Sequence, residues 1–378
     1  MAEPAPTSPL PSRVAPSPAA LPTSTGAAPT HARFRAQPED FRVDELAAFE
    51  PGGEGDHCYV HIRKRGLTTP EAAKRLAAAL GADPSQAGHA GLKDRHAVTT
   101  QWLSFLAVDP ERALAARVDD LEVLEAKRHR HKLRAGKLRG NRFTLIVREV
   151  DPSVDATLHA HLALLVARGV PAFFGTQRFG REGRNVEKAT RWLVEGGRAP
   201  RDRFERKMLV SSLQSEAFNR VLARRLRDGT FTRVLEGDLL RREDTGGVFA
   251  TTDPAADQLR LDAFEVSPTG PLPGLKSLIP EGALGEVERA VAAELGLDEV
   301  VLERLGRLGP GARRPLRWRL EDASLTRTSE GLELQFALPA GAYATEVLRE
   351  LFAEGLVEGP ATDGIRHESR PDGRHFRP

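Results

Sequence analysis

The sequence predicts an α+β protein: a mixed, mainly antiparallel sheet flanked by helices, with a second α/β module inserted into it. Three observations carry that prediction. Strand-like alternation recurs at widely separated places, over 142–150 and again over 332–338. Helical patterns fall between the strands without the regular βαβ spacing of a doubly wound sheet. Between about 180 and 315 the composition turns polar and helical, interrupted by Gly196-Gly197, Gly246-Gly247, Pro268–Pro273 and Gly309-Pro310-Gly311. At 378 residues the chain is also longer than one ordinary core requires.

Residues 1–30 are Pro, Ala, Ser and Thr with few large apolar side chains. Such a stretch cannot bury enough surface to offset its chain entropy, so it reads as a disordered tail. It lacks the basic start and apolar run of a signal peptide. Order is expected to begin near His31–Arg33. Thr69-Pro70-Glu71 opens a helix, with a capping hydroxyl, proline in the first turn and an acid at the positive end. Ala73, Leu76, Ala77 and Leu80 follow at helical spacing, and Gly81 ends it. Trp102–Val108 and Arg142–Val150 read as strands, the second alternating Phe143, Leu145 and Val147 with Thr144, Ile146 and Arg148. Leu158, Leu162, Leu165 and Val166 mark a helix closed by Gly169 and Pro171. Leu332, Leu334, Phe336 and Leu338 form a half-buried strand, Pro339-Ala340-Gly341 a turn, and Thr345 caps a final helix carrying Leu348, Leu351 and Phe352. The expected domains are 31–168 with 318–360, an insert over 169–317, and a polar tail over 361–378.

Hydrophobic residues make up 40% and charged residues 29%, the balance of a soluble globular protein. No run of 18 apolar residues suggests a membrane span. The single cysteine, Cys58, excludes a disulfide framework and a multi-cysteine metal site, and its place in Cys-Tyr-Val-His-Ile reads as a small buried hydrophobe in a strand. Nothing points to an oxidising compartment, so the cytoplasm is expected. There is no phosphate-binding Gly-rich loop, no Gly-x-Ser-x-Gly elbow and no histidine pattern with metal-ligand spacing. An enzyme of this composition is expected to work with neither metal nor organic cofactor, and no obligate protein partner is indicated.

The net charge is only +2, but its distribution is uneven. Between Lys127 and Arg142 stand Lys127, Arg128, Arg130, Lys132, Arg134, Lys137, Arg139 and Arg142, with no acid and with His129 and His131 interleaved. A block of this kind is the footprint of a phosphate-binding surface, and its direct continuation into a strand sets it apart from a disordered charged tail.

The most informative stretch is Ala90-Gly-Leu-Lys-Asp-Arg-His-Ala-Val-Thr-Thr-Gln-Trp102. It sets Asp94 between Lys93 and Arg95, where neighbouring positive charge favours the ionised form. An ionised, positioned carboxylate is what covalent catalysis at a sugar carbon or an electron-poor ring requires. Taken alone, Lys-Asp-Arg also reads as a solvated charged turn.

This stretch resembles the TruD family of tRNA pseudouridine synthases. So do Gln37-Pro-Glu-Asp-Phe41, Gly52-Gly-Glu-Gly-Asp-His57, Arg128-His-Arg-His-Lys-Leu-Arg134, Gly140-Asn-Arg-Phe-Thr-Leu145 and Pro171-Ala-Phe-Phe-Gly-Thr-Gln-Arg-Phe-Gly180. Ser215-Glu-Ala-Phe-Asn219, Glu236-Gly-Asp238 and Leu338-Pro-Ala-Gly-Ala-Tyr-Ala-Thr345 continue the likeness in the family's order. It covers roughly 33–250 and 335–352 and is thin over about 255–330. The resemblance implies a catalytic sheet domain interrupted by a TruD-specific domain. It implies that Asp94 is the nucleophile, that Phe41, Asn141 and Tyr343 line a uridine pocket, and that Phe143 stacks on the uracil. Many relatives are expected to carry phenylalanine in place of Tyr343. Arg35 matches a basic position expected near Asp94. The implied partner is tRNA and the implied target is position 13 of glutamate-type tRNA.

Pseudouridine formation breaks the N1–C1′ bond, rotates the uracil and joins C5 to C1′, with no redox change. An aspartate can attack C1′, assist loss of uracil as a glycal, or add to C6, and the sequence is compatible with all three. The target must leave its stack, which calls for an aromatic partner and a polar reader of the base edge. The Lys127–Arg142 block would hold the backbone in a salt-dependent way. Two other readings remain open: a non-catalytic RNA-binding or RNA-folding protein that keeps the pocket, and a nuclease or glycosidase using Asp94.

Overall fold

The computed structural model describes residues 21–180 and 183–359. Its main element is an eight-stranded sheet. Glu321–Arg327, Leu332–Pro339, Leu138–Val147, Phe41–Ala47, Val98–Leu106, His57–Arg65 and Leu121–His129 lie side by side in that order, and Gly88–His89 pairs beside Val98–Leu106. Phe41–Ala47 runs parallel to Val98–Leu106 and every other pairing in this sheet is antiparallel. The α+β class with a mixed, mainly antiparallel sheet is therefore observed.

Alternation along the strands decides which side chains reach the cores. Phe41, Val43, Phe143, Leu145, Leu334 and Phe336 join a cluster closed by the Asp155–Arg168 and Ala344–Phe352 helices. Cys58, Val60, Ile62, Leu103 and Phe105 join a second, covered by the Thr69–Leu80 helix. A third core surrounds the Arg203–Arg227 helix, beside a four-stranded sheet ordered Val248–Ala250, Leu239–Arg242, Val266–Leu272 and Ala312–Pro315. The passages that lead into and out of this third region touch: Val170–Pro171 pairs antiparallel with Arg317–Trp318, and Trp318 packs on both the first and the third core.

Several elements differ from expectation at their ends. The first long helix is capped by Thr68 rather than Thr69: Thr68 and Glu71 form a reciprocal capping box, and Gly81 closes the helix in left-handed backbone. Thr69 is freed to point inward, where its hydroxyl bonds Gln101 and accepts the main-chain N–H of Lys93. The strand read as Arg142–Val150 begins at Leu138, because pairing with Phe41–Ala47 extends back to Ala47 opposite Leu138. The strand read as Trp102–Val108 is Val98–Leu106, extended by its parallel pairing. Thr345 is inside the last helix, which starts at Ala344 with Tyr343 at its N-cap and no side-chain cap.

The stretch expected to be disordered through residue 30 is held from Leu21 onward. The Glu350 carboxylate accepts both the main-chain and hydroxyl hydrogens of Ser24, at 2.7 and 2.8 Å, and the Thr25 N–H at 3.2 Å. A buried carboxylate needs such donors, and the polar tail supplies them. Ala32–Phe34 then pairs in parallel with Leu356–Glu358. Residues 1–20 and the expected tail over 361–378 lie outside the described residues.

Candidate active site

The Ala90–Ala97 loop leaves the short Gly88–His89 strand and enters the Val98–Leu106 strand, which fixes both of its ends in the sheet. Its middle is fixed by side chains. Lys64 is fully buried, and its ammonium donates to the main-chain carbonyl of Asp94 at 2.9 Å and to that of Leu67 at 2.5 Å. Burial pushes the Lys64 ammonium down to about 8. The main-chain N–H of Lys93 is held by Thr69 at 2.9 Å. The Asp94 carboxylate itself is 53% exposed.

The two cations beside Asp94 in sequence do not pair with it. Lys93 turns into the protein, where its ammonium bonds Glu45 at 2.7 Å and the Asn141 side-chain oxygen at 2.9 Å. Arg95 turns outward to Glu71, the acid of the helix capping box. The cation that meets the carboxylate is Arg35, whose guanidinium is 2.7 Å from Asp94 and 2.7 Å from Glu358. Arg35 sits at φ +57°, a left-handed backbone that costs a non-glycine residue about 1–2 kcal/mol. Its guanidinium also lies 3.9 Å from the centre of the Phe41 ring.

Asp94 opens onto a cleft of about 1160 Å³. Arg35, Phe41, Asn141, Phe143 and Tyr343, singled out in the sequence, all line it. The structure thus gathers every one of these residues at one place. Phe41 and Phe143 are also core residues: Phe143 stacks on Phe336 with centroids 5.3 Å apart and meets Phe41 edge-on at 6.2 Å. Gly140 allows the strand beneath to close up, since a Cβ there would come within 2.2 Å of the Leu338 carbonyl. The amide of Asn141 has a fixed orientation, because an ammonium only donates and Lys93 therefore commits its oxygen.

The Lys127–Arg142 block is spread over the Leu121–His129 strand, the following loop and the Leu138–Val147 strand. Although the block contains no acid, acids arrive from elsewhere. Lys127 pairs with Glu125, Arg128 with Asp109, Arg130 with Glu54 and Arg142 with Asp322. Lys132, Arg134, Lys137 and Arg139 make no such pair among the described residues, and the last three are exposed.

Sequence reasoning missed Lys64, Glu45 and Glu358. Lys64 and Glu45 stand among other charged residues with no local sign of burial, and the interior position of their strands in the sheet buries them. It also missed the cleft wall supplied by Phe174, Arg178, Phe204 and Met208.

Comparison with known proteins puts this sheet and cleft among the pseudouridine synthases, which are isomerases. The structure overlays a solved one described as the putative tRNA pseudouridine synthase D (TruD) from Methanosarcina mazei, with a TM-score of 0.72 and 26% identity, covering 87% of this chain and 95% of that one. The model of the family described as tRNA pseudouridine synthase D (TruD) matches residues 22–199 and 203–351, and the chain belongs to that family. It is 48% identical over 338 residues to a tRNA pseudouridine synthase D of Anaeromyxobacter sp. (strain Fw109-5), covering 87% of this chain and 95% of the relative. It is 42% identical over 337 residues to one of Methylococcus capsulatus, covering 88% and 94%. The family match continues through 255–330, where the motifs quoted from the sequence were thin.

Proposed function

We propose that this protein isomerises a uridine of tRNA, at position 13 of glutamate-type tRNA, to pseudouridine, with Asp94 as the nucleophile and no cofactor. The observation that carries this reading is the exposed Asp94 carboxylate, bonded to Arg35 and opening on a cleft lined by Phe41, Asn141, Phe143 and Tyr343. The pocket is large enough for a nucleotide turned out of its stack.

In this reading Phe143 presents its ring to the uracil, and Phe41 and Tyr343 complete the walls. Asn141 offers its amide hydrogens to a base carbonyl, since its oxygen is committed to Lys93. Arg35 holds the carboxylate in place and aims it. Asp94 then attacks C1′, adds to C6 or assists a glycal route. In each case N1–C1′ breaks, C5–C1′ forms, C5 loses its proton and N1 gains one, so no oxidant or reductant enters. Lys127, Arg128, Arg130, Lys132, Arg134, Lys137, Arg139 and Arg142 contribute to backbone binding, with Lys132, Arg134, Lys137 and Arg139 the most available.

The domain organisation proposed with it is a catalytic unit of 31–168 and 318–360 and an insert of 169–317. The pairing of Val170–Pro171 with Arg317–Trp318 supports that division. No described helix is long and apolar enough to cross a membrane, and a cytoplasmic location suits a tRNA substrate.

The test uses tRNA tritiated at uridine C5, with the native protein and the Asp94→Asn variant. Release of tritium by the native protein alone, from intact RNA, supports the assignment. Loss of release from glutamate-type tRNA carrying cytidine at position 13 supports the site. Equal release by Asp94→Asn removes Asp94 from the mechanism, and chain cleavage or free uracil points instead to a nuclease or glycosidase.

A further inference from the structure

Three side chains lining the cleft are apolar and face solvent. Leu92, two residues before Asp94, is 70% exposed; Phe204 and Met208, on the first turns of the Arg203–Arg227 helix, are 75% and 36% exposed. Large apolar groups held in water at the mouth of a site mark contact with a ligand. Among the described residues, Phe204 stacks on no other ring and none of the three belongs to a core cluster.

The surroundings of Phe204 indicate what that ligand is. Arg201 and Arg203 precede it and Lys207 follows, all exposed, and Arg198 is four residues upstream of the helix cap Asp202. Among the described residues none of these four cations pairs with a carboxylate within 4 Å. An exposed aromatic ring among unpaired cations is the pattern of a single-stranded nucleic-acid surface: the cations follow phosphates and the ring takes a base face. A nucleic-acid strand supplies both partners in alternation, a phosphate for each cation and a base face for the ring.

We propose that Phe204, flanked by Met208, is a stacking platform for an unpaired nucleobase of the RNA next to the reacting uridine, and that Arg201, Arg203 and Lys207 hold the adjoining phosphates. Leu92 supplies apolar contact at the catalytic end of the same cleft. This proposal rests on the RNA-modifying reading above. It adds a binding subsite on the inserted region, distinct from the uridine pocket and from the Lys127–Arg142 block. Turning one base out leaves its neighbours with uncovered faces, and an aromatic platform replaces the lost stacking.

The test measures tRNA binding constants at several salt concentrations, together with single-turnover rates at saturating enzyme, for the native protein, Phe204→Ala, Phe204→Trp and Arg203→Ser. Phe204 is exposed, so these variants retain the fold. Phe204→Ala is expected to weaken binding roughly 5- to 100-fold with an unchanged salt slope, because a stacked base releases no counterions. Phe204→Trp keeps native affinity, and Arg203→Ser lowers the slope. Single-turnover rates at saturating enzyme separate this loss of binding from any loss in the chemical step. Binding of Phe204→Ala within twofold of native, or equal weakening by Phe204→Trp, overturns the proposal. Native binding without turnover overturns only the reading it rests on, because the binding constants decide this one alone.

Discussion

Arg35 reaches the Asp94 carboxylate at 2.7 Å from a backbone position at φ +57°, stacked against Phe41. The ring contact and the second ion pair, to Glu358, hold the guanidinium against the carboxylate. A lysine at this position keeps the charge but loses the planar fork that spans Asp94 and Glu358. Arg35→Met is expected to lower kcat about 100-fold, the cost of removing one preorganised charged donor. Arg35→Lys is expected to fall between the two. Single-turnover rates at saturating enzyme separate this loss from weaker RNA binding, and a native rate in Arg35→Met would remove Arg35 from the chemistry.

Lys64 predicts a pH dependence of stability. Its ammonium is fully buried and pushed down to about 8 from the ordinary lysine value of 10.5. Between those values the unfolded chain binds more protons than the folded one, so this group makes the fold relatively more stable as pH rises from 8 toward 10.5. Lys64→Met has no such group. The native protein is therefore expected to gain about 1–2 kcal/mol on the variant between pH 8 and 10, measured by urea unfolding. A constant difference across that range would contradict the assignment.

Lys93 and Glu45 form a buried pair, with side chains 5% and 1% exposed. Removing one partner strands the other, so Lys93→Met and Glu45→Gln are each expected to destabilise, Lys93→Met by about 3–5 kcal/mol. The double variant recovers a large part of that loss. Unfolding free energies for the four proteins close the cycle, and strict additivity would show that the pair does not couple.

The thiol of Cys58 is buried, and burial pushes it up to about 11. An aromatic disulfide reagent at pH 8 is expected to label the native protein at least about 100-fold more slowly than the urea-unfolded chain. Rapid labelling without denaturant would show that the His57–Arg65 strand opens locally.

Local patterns made much of the fold legible. The alternation at Leu332–Leu338 and Phe143–Val147 survives as neighbouring strands in register, with Phe143 opposite Phe336. Asp94 and the residues named with it in the sequence line one cleft, although they come from distant segments. The electrostatics within the site were not legible. Lys93 and Arg95 are adjacent to Asp94 in sequence, yet each is claimed by another acid, and the partner that remains, Arg35, stands just after the Ala32–Phe34 strand, far away in sequence. Lys64 in His-Ile-Arg-Lys-Arg carries no local sign of burial, and only the placement of its strand between two others puts it under the Asp94 loop. Positive runs mislead in the same way, because the acids that neutralise Arg128 and Arg142 are distant in sequence.

The pairing of Leu332–Pro339 with Leu138–Val147, and of Leu356–Glu358 with Ala32–Phe34, gives synthesis of this protein a definite order of events. A ribosome delivers Asp94 early, on a sheet that still lacks the edge beside Phe143 and the turn that carries Tyr343. Residues 169–317 are made before those pieces emerge, so the core around the Arg203–Arg227 helix is synthesised while the sheet still has an open edge. A nascent chain stopped anywhere in that interval carries Asp94 without Tyr343 and without the strand beside Phe143. Among the described residues the last strand, Leu356–Glu358, joins the first, Ala32–Phe34, so the Glu358 carboxylate that meets Arg35 is delivered after every other wall of the cleft.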